Sequence, residues 1–192
     1  MTGYAVPSRR SLPAGLWGMG ILIASEATLF GALVATYFYL RFHTDVWPPA
    51  GIPAPAWAGP VVSVAILAST SVPMHLASRA VRAGRPAPAR LLVAAAFVVQ
   101  AVYFAYAAND FHEQLQRHDI GENAYTSIYY TLLGADHAHV FAGLLLDLWL
   151  LGKLARGLTG YRATATRAIS WYWHFVNVLS IVVLATVLTA RI

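Results

Sequence analysis

The chain alternates between long apolar runs and short polar connections. Five runs carry few charges and are long enough to cross a bilayer, which takes roughly 20 helical residues. They cover residues 16–40, 57–80, 91–108, 127–151 and 168–190. Because hydrocarbon offers no partner for backbone N–H and C=O groups, each run must satisfy them internally as a helix. The pattern predicts an all-α integral membrane bundle of five transmembrane helices, formed as a single domain over residues 1–192.

The second run contains two prolines, Pro60 near its start and Pro73 in its interior. Proline has no backbone N–H and its ring clashes with the preceding turn of a helix. We therefore expect the second helix to be kinked near residues 69–73.

The basic residues between the runs predict the orientation. Most of them fall on one side if the N terminus is cytoplasmic, as the positive-inside rule requires. They are Arg9, Arg10, Arg79, Arg82, Arg85, Arg90, Lys153, Arg156, Arg162 and Arg167. Five tryptophans also lie near the predicted span ends, where interfacial aromatic residues are expected: Trp17, Trp47, Trp57, Trp171 and Trp173. The N terminus is thus predicted to be cytoplasmic and the C terminus to lie outside, in a bacterial plasma membrane.

The composition supports a bilayer environment and removes several functions. Hydrophobic residues make up 58% of the chain and charged residues 11%, with a mean hydropathy of +0.58. The net charge of +5 sits in short blocks between apolar runs, which does not indicate nucleic-acid binding. Since the chain has no cysteine, iron–sulfur clusters, thiolate metal sites and covalently attached c-type haem are excluded.

Three carboxylates lie inside apolar runs, namely Glu26, Asp136 and Asp147. A charge at such depth is costly, so each needs a partner, water or a proton. At 100° per residue, Asp136, His139, Gly143 and Asp147 share one face of the fourth helix. Small residues at 134, 138 and 142 line roughly the opposite face, so we expect this helix to be buried on both sides.

The first run has a similar design. A seam of small residues follows one face of its helix, at Gly20, Ala24, Ala27, Gly31 and Ala35. Glu26 points away from this seam, and we expect it to pack against another helix. Two roles remain open for its carboxyl group, a structural hydrogen bond and the handling of protons.

The histidines do not predict a metal site. His137 and His139 are two apart on one helix and point about 160° away from each other. His112 and His118 belong to a polar segment where solvated histidine is the common situation. His174 lies beside Trp173 and is expected at the cytoplasmic start of the fifth span, where it would bond a neighbouring helix or a lipid headgroup.

Three segments together resemble subunit III of haem-copper terminal oxidases, a family that serves both cytochrome c and quinol oxidases. The segments are WGMGILIASEATLFGALVATYFYLRF, NAYTSIYYTLLGADHAHVFAGL and SWYWHFVNVLSI. The resemblance extends over residues 16–192 and is closest to the short bacterial form with five helices. The chain matches the family at Glu26, at His139 and at the Trp173, His174 and Phe175 triplet. The chain departs from the family at Asp136, where a histidine is usual, and at Asn177, where an aspartate is usual.

The resemblance implies a non-catalytic accessory subunit of a proton-pumping oxidase, which reduces oxygen to water during aerobic respiration. Such a subunit holds no haem or copper, which the partner subunits carry. It packs directly on subunit I, stabilises it and supports proton uptake, and subunit II belongs to the same complex. Basic residues matching Lys153 and Arg156 bind phospholipid headgroups in the family. The two departures suggest that Asp136 replaces the carboxylate lost at Asn177.

Two other functions fit the same sequence. An accessory subunit of a nitric oxide reductase would have a similar fold and another catalytic partner. A small proton-coupled transporter would use Glu26, Asp136 and Asp147 as a proton relay. Transporters commonly show internal repeats or broken half-helices around a midplane site, and apart from Pro73 the sequence shows neither.

Overall fold

The computed structural model of the chain describes residues 12–192. Arg9 and Arg10, which the sequence predicts to be cytoplasmic, lie outside the described residues. Within the described part the structure consists of six α-helices and a final 3-10 turn, without strands. The helices are α1 (Ala14–Phe42), α2 (Ala58–Ser69), α3 (Ser71–Arg82), α4 (Pro86–Leu115), α5 (Ala124–Leu154) and α6 (Gly160–Leu188), and the turn covers Thr189–Arg191.

The described residues contain five helical segments that are long and apolar enough to span a membrane. They are α1, α2 with α3, α4, α5 and α6 with the final turn. The predicted all-α bundle of five spanning helices is therefore confirmed. The direction in which the helices cross the bilayer stays a prediction.

The second spanning segment is interrupted at Thr70, between α2 and α3. Pro73 lacks the N–H that would bond the carbonyl of Ser69, so the regular ladder fails at this point. The Thr70 hydroxyl instead donates to the Leu67 carbonyl at 2.7 Å. The interruption lies within residues 69–73, where the sequence predicts a kink.

Side-chain caps begin two of the longest helices. Asn123 and Thr126 form a reciprocal capping box at the start of α5, and the Thr159 hydroxyl accepts from the Arg162 N–H at the start of α6. The Arg162 guanidinium also donates to the carbonyl oxygens of Arg156 and Gly157 at 2.7 and 2.9 Å. These bonds stabilise the tight turn that joins the two helices.

The helix α6 lies at the centre of the bundle, in contact with α1, α2, α3 and α5. In the most apolar 18-residue stretch of this last spanning segment, 50% of the residues are buried, against 6% in the corresponding stretch of α1. The helix α1 packs only on α5 and α6 and leaves most of its surface uncovered. The chain therefore has one exposed helix at its edge and one buried helix at its core.

Three expectations from the sequence are wrong. His174 lies about halfway along α6, because that helix begins at Gly160, eight residues before the predicted span. Trp173 is fully buried inside the bundle and not at an interface. On α5, only the face with Asp136 is buried within the chain, since Ala138 and Ala142 are exposed.

Candidate functional site

Each of the five spanning segments places a polar side chain at about half of its length. Each lies near the midpoint of its helix or, for Thr70, at the break between two helices. We name this set the mid-bundle polar layer, and its members are Glu26, Thr70, Gln100, His139 and Asn177. Residues at this depth are shielded from bulk water, so their hydrogen-bond partners must come from the protein or from trapped water.

Glu26 and His139 form a direct pair between α1 and α5. The Glu26 Oε2 and His139 Nε2 atoms are 3.2 Å apart, and the two side chains are 25% and 17% exposed. The His139 Nδ1 lies 2.8 Å from the Ala135 carbonyl oxygen. A carbonyl oxygen only accepts, so Nδ1 carries a hydrogen and donates to it.

This tautomer determines what the pair can do. In a neutral ring Nε2 is then an acceptor, and a hydrogen bond to Glu26 needs a proton from the carboxyl group. The alternative is a doubly protonated ring beside a carboxylate. In both arrangements one proton lies between Glu26 and His139 and the pair is neutral overall, which suits a low-dielectric setting.

Two aromatic residues also hold His139 in place. The Tyr172 hydroxyl donates to the His139 carbonyl at 2.8 Å, and the Phe30 ring contacts the imidazole edge-on.

Thr70 is the centre of a second network in the same layer. Its Oγ1 accepts from the Gln100 Nε2 at 3.3 Å and from the Asn177 Nδ2 at 3.4 Å. Asn177 also donates to the Ser71 Oγ at 2.7 Å. Gln100, Thr70 and Asn177 are at most 2% exposed, so these bonds join the helix break to α4 and α6.

Asp136 belongs to a third group, one turn from His139 on the same helix. The carboxylate is 4% exposed and accepts from the Ser180 hydroxyl at 2.8 Å. Asn177 lies nearly one turn before Ser180 on α6 but bonds Thr70 and Ser71. Asp136 and Asn177 thus have no common partner among the described residues, and the replacement of one acid by the other stays a prediction.

Asp147 lies eight residues after His139 on α5, next to Trp173 of α6. Both carboxylate oxygens and the indole Nε1 are buried, and the contact between the carboxylate and the indole N–H is longer or less well aligned than a regular hydrogen bond. The indole lies directly on the backbone of Gly143: a β-carbon there would come within 2.6 Å of its Cζ2 atom. Gly143 is therefore required by the close approach of α5 and α6, which the sequence does not reveal without knowledge of the facing residue.

His174 contacts neighbours within the bundle. Its Nε2 lies 3.4 Å from the Ser170 Oγ, and its ring centroid is 6.2 Å from that of His75. In the part of the chain that the structure describes, no group of three or more histidine, aspartate or glutamate side chains is arranged to hold a metal ion. The histidines of the described residues therefore do not gather in one centre.

Lys153 and Arg156 lie at the end of α5. The Lys153 ammonium is 5.4 Å from the centre of the Trp149 ring, and the Arg156 side chain is exposed. A basic pair next to an aromatic ring at a helix end can attract a phosphate group at the membrane surface. Binding of phospholipid by these two residues stays a prediction.

The sequence does not point to Thr70, Gln100 or Ser180 as members of the polar groups. Two signals were present. Gln100 is the one amide in the apolar run 91–108, and Thr70 lies just before Pro73, where a freed carbonyl needs a donor. Ser180 gives no such signal, because serine is common in membrane helices.

Comparison with known proteins gives consistent matches. The model of the family described as cytochrome c oxidase subunit III matches residues 9–189. Cytochrome bo(3) ubiquinol oxidase subunit 3 of Pseudomonas aeruginosa is 29% identical over 90% of this chain and 83% of its own length. Cytochrome c oxidase subunit 3 of Bacillus sp. (strain PS3) is 28% identical over 95% of this chain and 90% of its own length. With five apolar helices and bacterial relatives of this kind, the chain is a multi-pass protein of the plasma membrane.

Proposed function

Because the chain belongs to the cytochrome c oxidase subunit III family, we propose that it is the accessory subunit that packs directly on subunit I of a haem-copper terminal oxidase and stabilises it. In this proposal the partner subunits I and II hold haem and copper and reduce oxygen to water. The present chain contributes no catalytic group.

The uncovered small-residue seam of α1 is the observation that carries the proposal. Ala24, Ala27, Gly31 and Ala35 are exposed, and a β-carbon built on Gly31 meets nothing within 4 Å. In membranes, helices associate through small residues that let the backbones approach closely. A seam of small residues of which four are exposed is suited to a helix of another subunit.

The Glu26–His139 pair marks a second place, on another face of α1, where a partner subunit would be favoured. Its two side chains remain partly exposed at the groove between α1 and α5, although lipid is a poor environment for polar groups. Because Glu26 points away from the seam, these side chains would be shielded only by a subunit that also fills the groove between α1 and α5. We propose that the proton between Glu26 and His139 then also supports proton supply to the partner.

Substitutions on α1 test the docking surface. Ala24→Leu and Gly31→Leu place a large side chain in the seam, whereas Ala32→Leu places the same side chain on an exposed position outside it. We expect the two seam variants to lower the recovery of subunit I with the tagged chain by about tenfold, which is about 1.4 kcal/mol of association free energy. Ala32→Leu should leave the recovery unchanged.

The measurement is purification of the tagged chain from native membranes in mild detergent, followed by identification of the co-purifying subunits and a reduced-minus-oxidised haem spectrum. Equal recovery of subunit I with all three variants would reject the seam as the docking surface. If a nitric oxide reductase co-purifies and subunits I and II do not, the partner is the reductase and not the oxidase. Recovery of the unmodified chain without any haem protein would favour the transporter.

A further inference from the structure

Two adjoining cavities lead from one end of the bundle to its centre. The inner cavity, of about 190 Å³, lies between α2, α4, α5 and α6 and ends at Asp136 and Ser180. The outer cavity, of about 360 Å³, lies under residues 52–56 and reaches Arg117 and His118. Five residues line both cavities: Pro55, Ala56, Asp110, Gln114 and Tyr129.

Three of the five shared residues are polar and are hydrogen-bonded to one another. The Tyr129 hydroxyl donates to the Gln114 Oε1 at 2.9 Å, and the Gln114 Nε2 donates to the Asp110 Oδ2 at 2.6 Å. The inner end is polar as well, because the Asp136 carboxylate lines it. His137 also lines the inner cavity, and its Nδ1 donates to the Leu133 carbonyl. Its Nε2 is thereby an acceptor, buried and without a partner among the described residues.

Polarity and size together favour water as the content of these cavities. A cavity holds water when it is roomy enough for at least one molecule and offers several polar partners. Both volumes exceed the share of about 30 Å³ that a water molecule occupies in the liquid. An acyl chain in the same space would leave a carboxylate and a histidine acceptor without hydration.

We propose that the two cavities form a water-filled path from the 116–123 end of the bundle to Asp136, and that Asp136 exchanges protons with the aqueous phase on that side. The exchange is a simple acid–base step: the carboxylate takes a proton from a cavity water that has received it from outside, and returns it by the same route. With the predicted orientation this side is the outer one. The proposal goes beyond the accessory role and does not depend on it.

The titratable groups around Asp136 come from each helix packed on it. His137 and His139 are on its own helix, Tyr103 faces it from α4 and Tyr172 from α6. Glu26 of α1 is linked to it through His139 and through Tyr172, which lies near both carboxyl groups. Neither Glu26 nor His139 lines the cavity, so the pair and Asp136 open to different surroundings.

Reactivity of single cysteines tests the water path directly, and the chain has no native cysteine to remove. Ala107→Cys places a thiol in the inner cavity. Ala105→Cys is the matched control, since it lies on the same helix, about 3 Å away in depth, and is exposed on another face. The probe is a methanethiosulfonate with a permanent quaternary ammonium charge, added to one side of membranes that contain the intact complex. The ionised thiolate attacks the sulfur of such a reagent and releases methanesulfinate, and the thiolate forms in water and not in lipid.

We expect Ala107→Cys to react at least about tenfold faster than Ala105→Cys when the reagent is on the outer side, and to stay unmodified when it is on the cytoplasmic side. Ser63→Cys, from α2 on the opposite wall of the inner cavity, should behave like Ala107→Cys. Equal rates for the cavity and control positions would overturn the proposal. So would the absence of reaction at both cavity positions, which would indicate a dry or lipid-filled space.

Infrared spectroscopy tests the protonation of Asp136 itself. In the intact complex, the carbonyl stretching band of a protonated carboxyl group should titrate with the pH of the outer medium and shift on exchange into D₂O. This band should be missing in Asp136→Asn and retained in Glu26→Gln. If the band persists in Asp136→Asn, or responds only to the cytoplasmic pH, the exchange proposed for Asp136 is refuted.

Discussion

The contact between Gly143 and Trp173 allows a quantitative test of the packing between α5 and α6. A β-carbon on Gly143 would lie 2.6 Å from the indole Cζ2 and 2.9 Å from Cε2 and Cη2. Trp173 is fully buried and its ring is rigid, so the helices or the ring must shift before an alanine fits. Overpacking of this kind costs about 1 to 3 kcal/mol. Against this, alanine is favoured over glycine in a helix by about 0.8 to 1.0 kcal/mol.

A control on the same helix separates the two effects. Gly134 is also interior to α5, and its β-carbon would meet only Phe111, at an ordinary distance of 3.6 Å. Gly134→Ala therefore gains the helix propensity without the clash. We expect Gly143→Ala to be less stable than Gly134→Ala by about 1 to 3 kcal/mol.

The assay is unfolding of the purified chain in detergent, followed by tryptophan fluorescence and by helical circular dichroism. The indole of Trp173 should respond in Gly143→Ala even before unfolding, because its surroundings change. Equal stability of the two variants, with an unchanged spectrum, would show that α5 and α6 do not approach as closely as described.

Two further predictions concern the mid-bundle polar layer. Glu26→Gln keeps a donor for the His139 Nε2 but cannot hold a proton for exchange, whereas Glu26→Ala loses both. For Glu26→Gln we expect normal assembly of the oxidase complex but several-fold lower sustained oxygen reduction by it. For Glu26→Ala we expect less of the complex to assemble. Normal oxygen reduction with Glu26→Gln would restrict the pair to a structural role. Thr70→Val leaves the buried Gln100 amide without its acceptor, while Asn177 keeps its shorter bond to Ser71, and should cost about 1 to 3 kcal/mol of unfolding free energy. Thr36→Val loses only an exposed bond within its own helix and should have little effect.

Much of the architecture follows from the order of residues along the chain. Apolar runs of sufficient length can only be helices in a bilayer, so five spanning segments are predicted without any knowledge of their contacts. Pro73 places the helix break for an equally local reason, the missing N–H. The depth of Glu26 and His139 in their runs likewise identifies them as residues that need a partner.

The pairing of these residues could not be predicted in the same way. His139 bonds Glu26 and Asp136 bonds Ser180, although both residues share one face of α5. Which of them meets α1 and which meets α6 depends on the rotation and height of three helices. A shift of one turn, about 5.4 Å along a helix axis, would exchange the partners without changing the hydrophobic pattern.

The sequence by itself determined the class of this protein: its five spans, its lack of thiol chemistry, and the motifs that resemble subunit III. Those properties depend on local hydrophobicity and residue type, which each segment carries wherever it packs. Only the tertiary structure decided that His174 and Trp173 lie inside the bundle, that the α1 seam remains uncovered and that Asp136 ends a cavity. Burial and cavities are properties of helices packed together, because a side chain's neighbours come from distant parts of the chain.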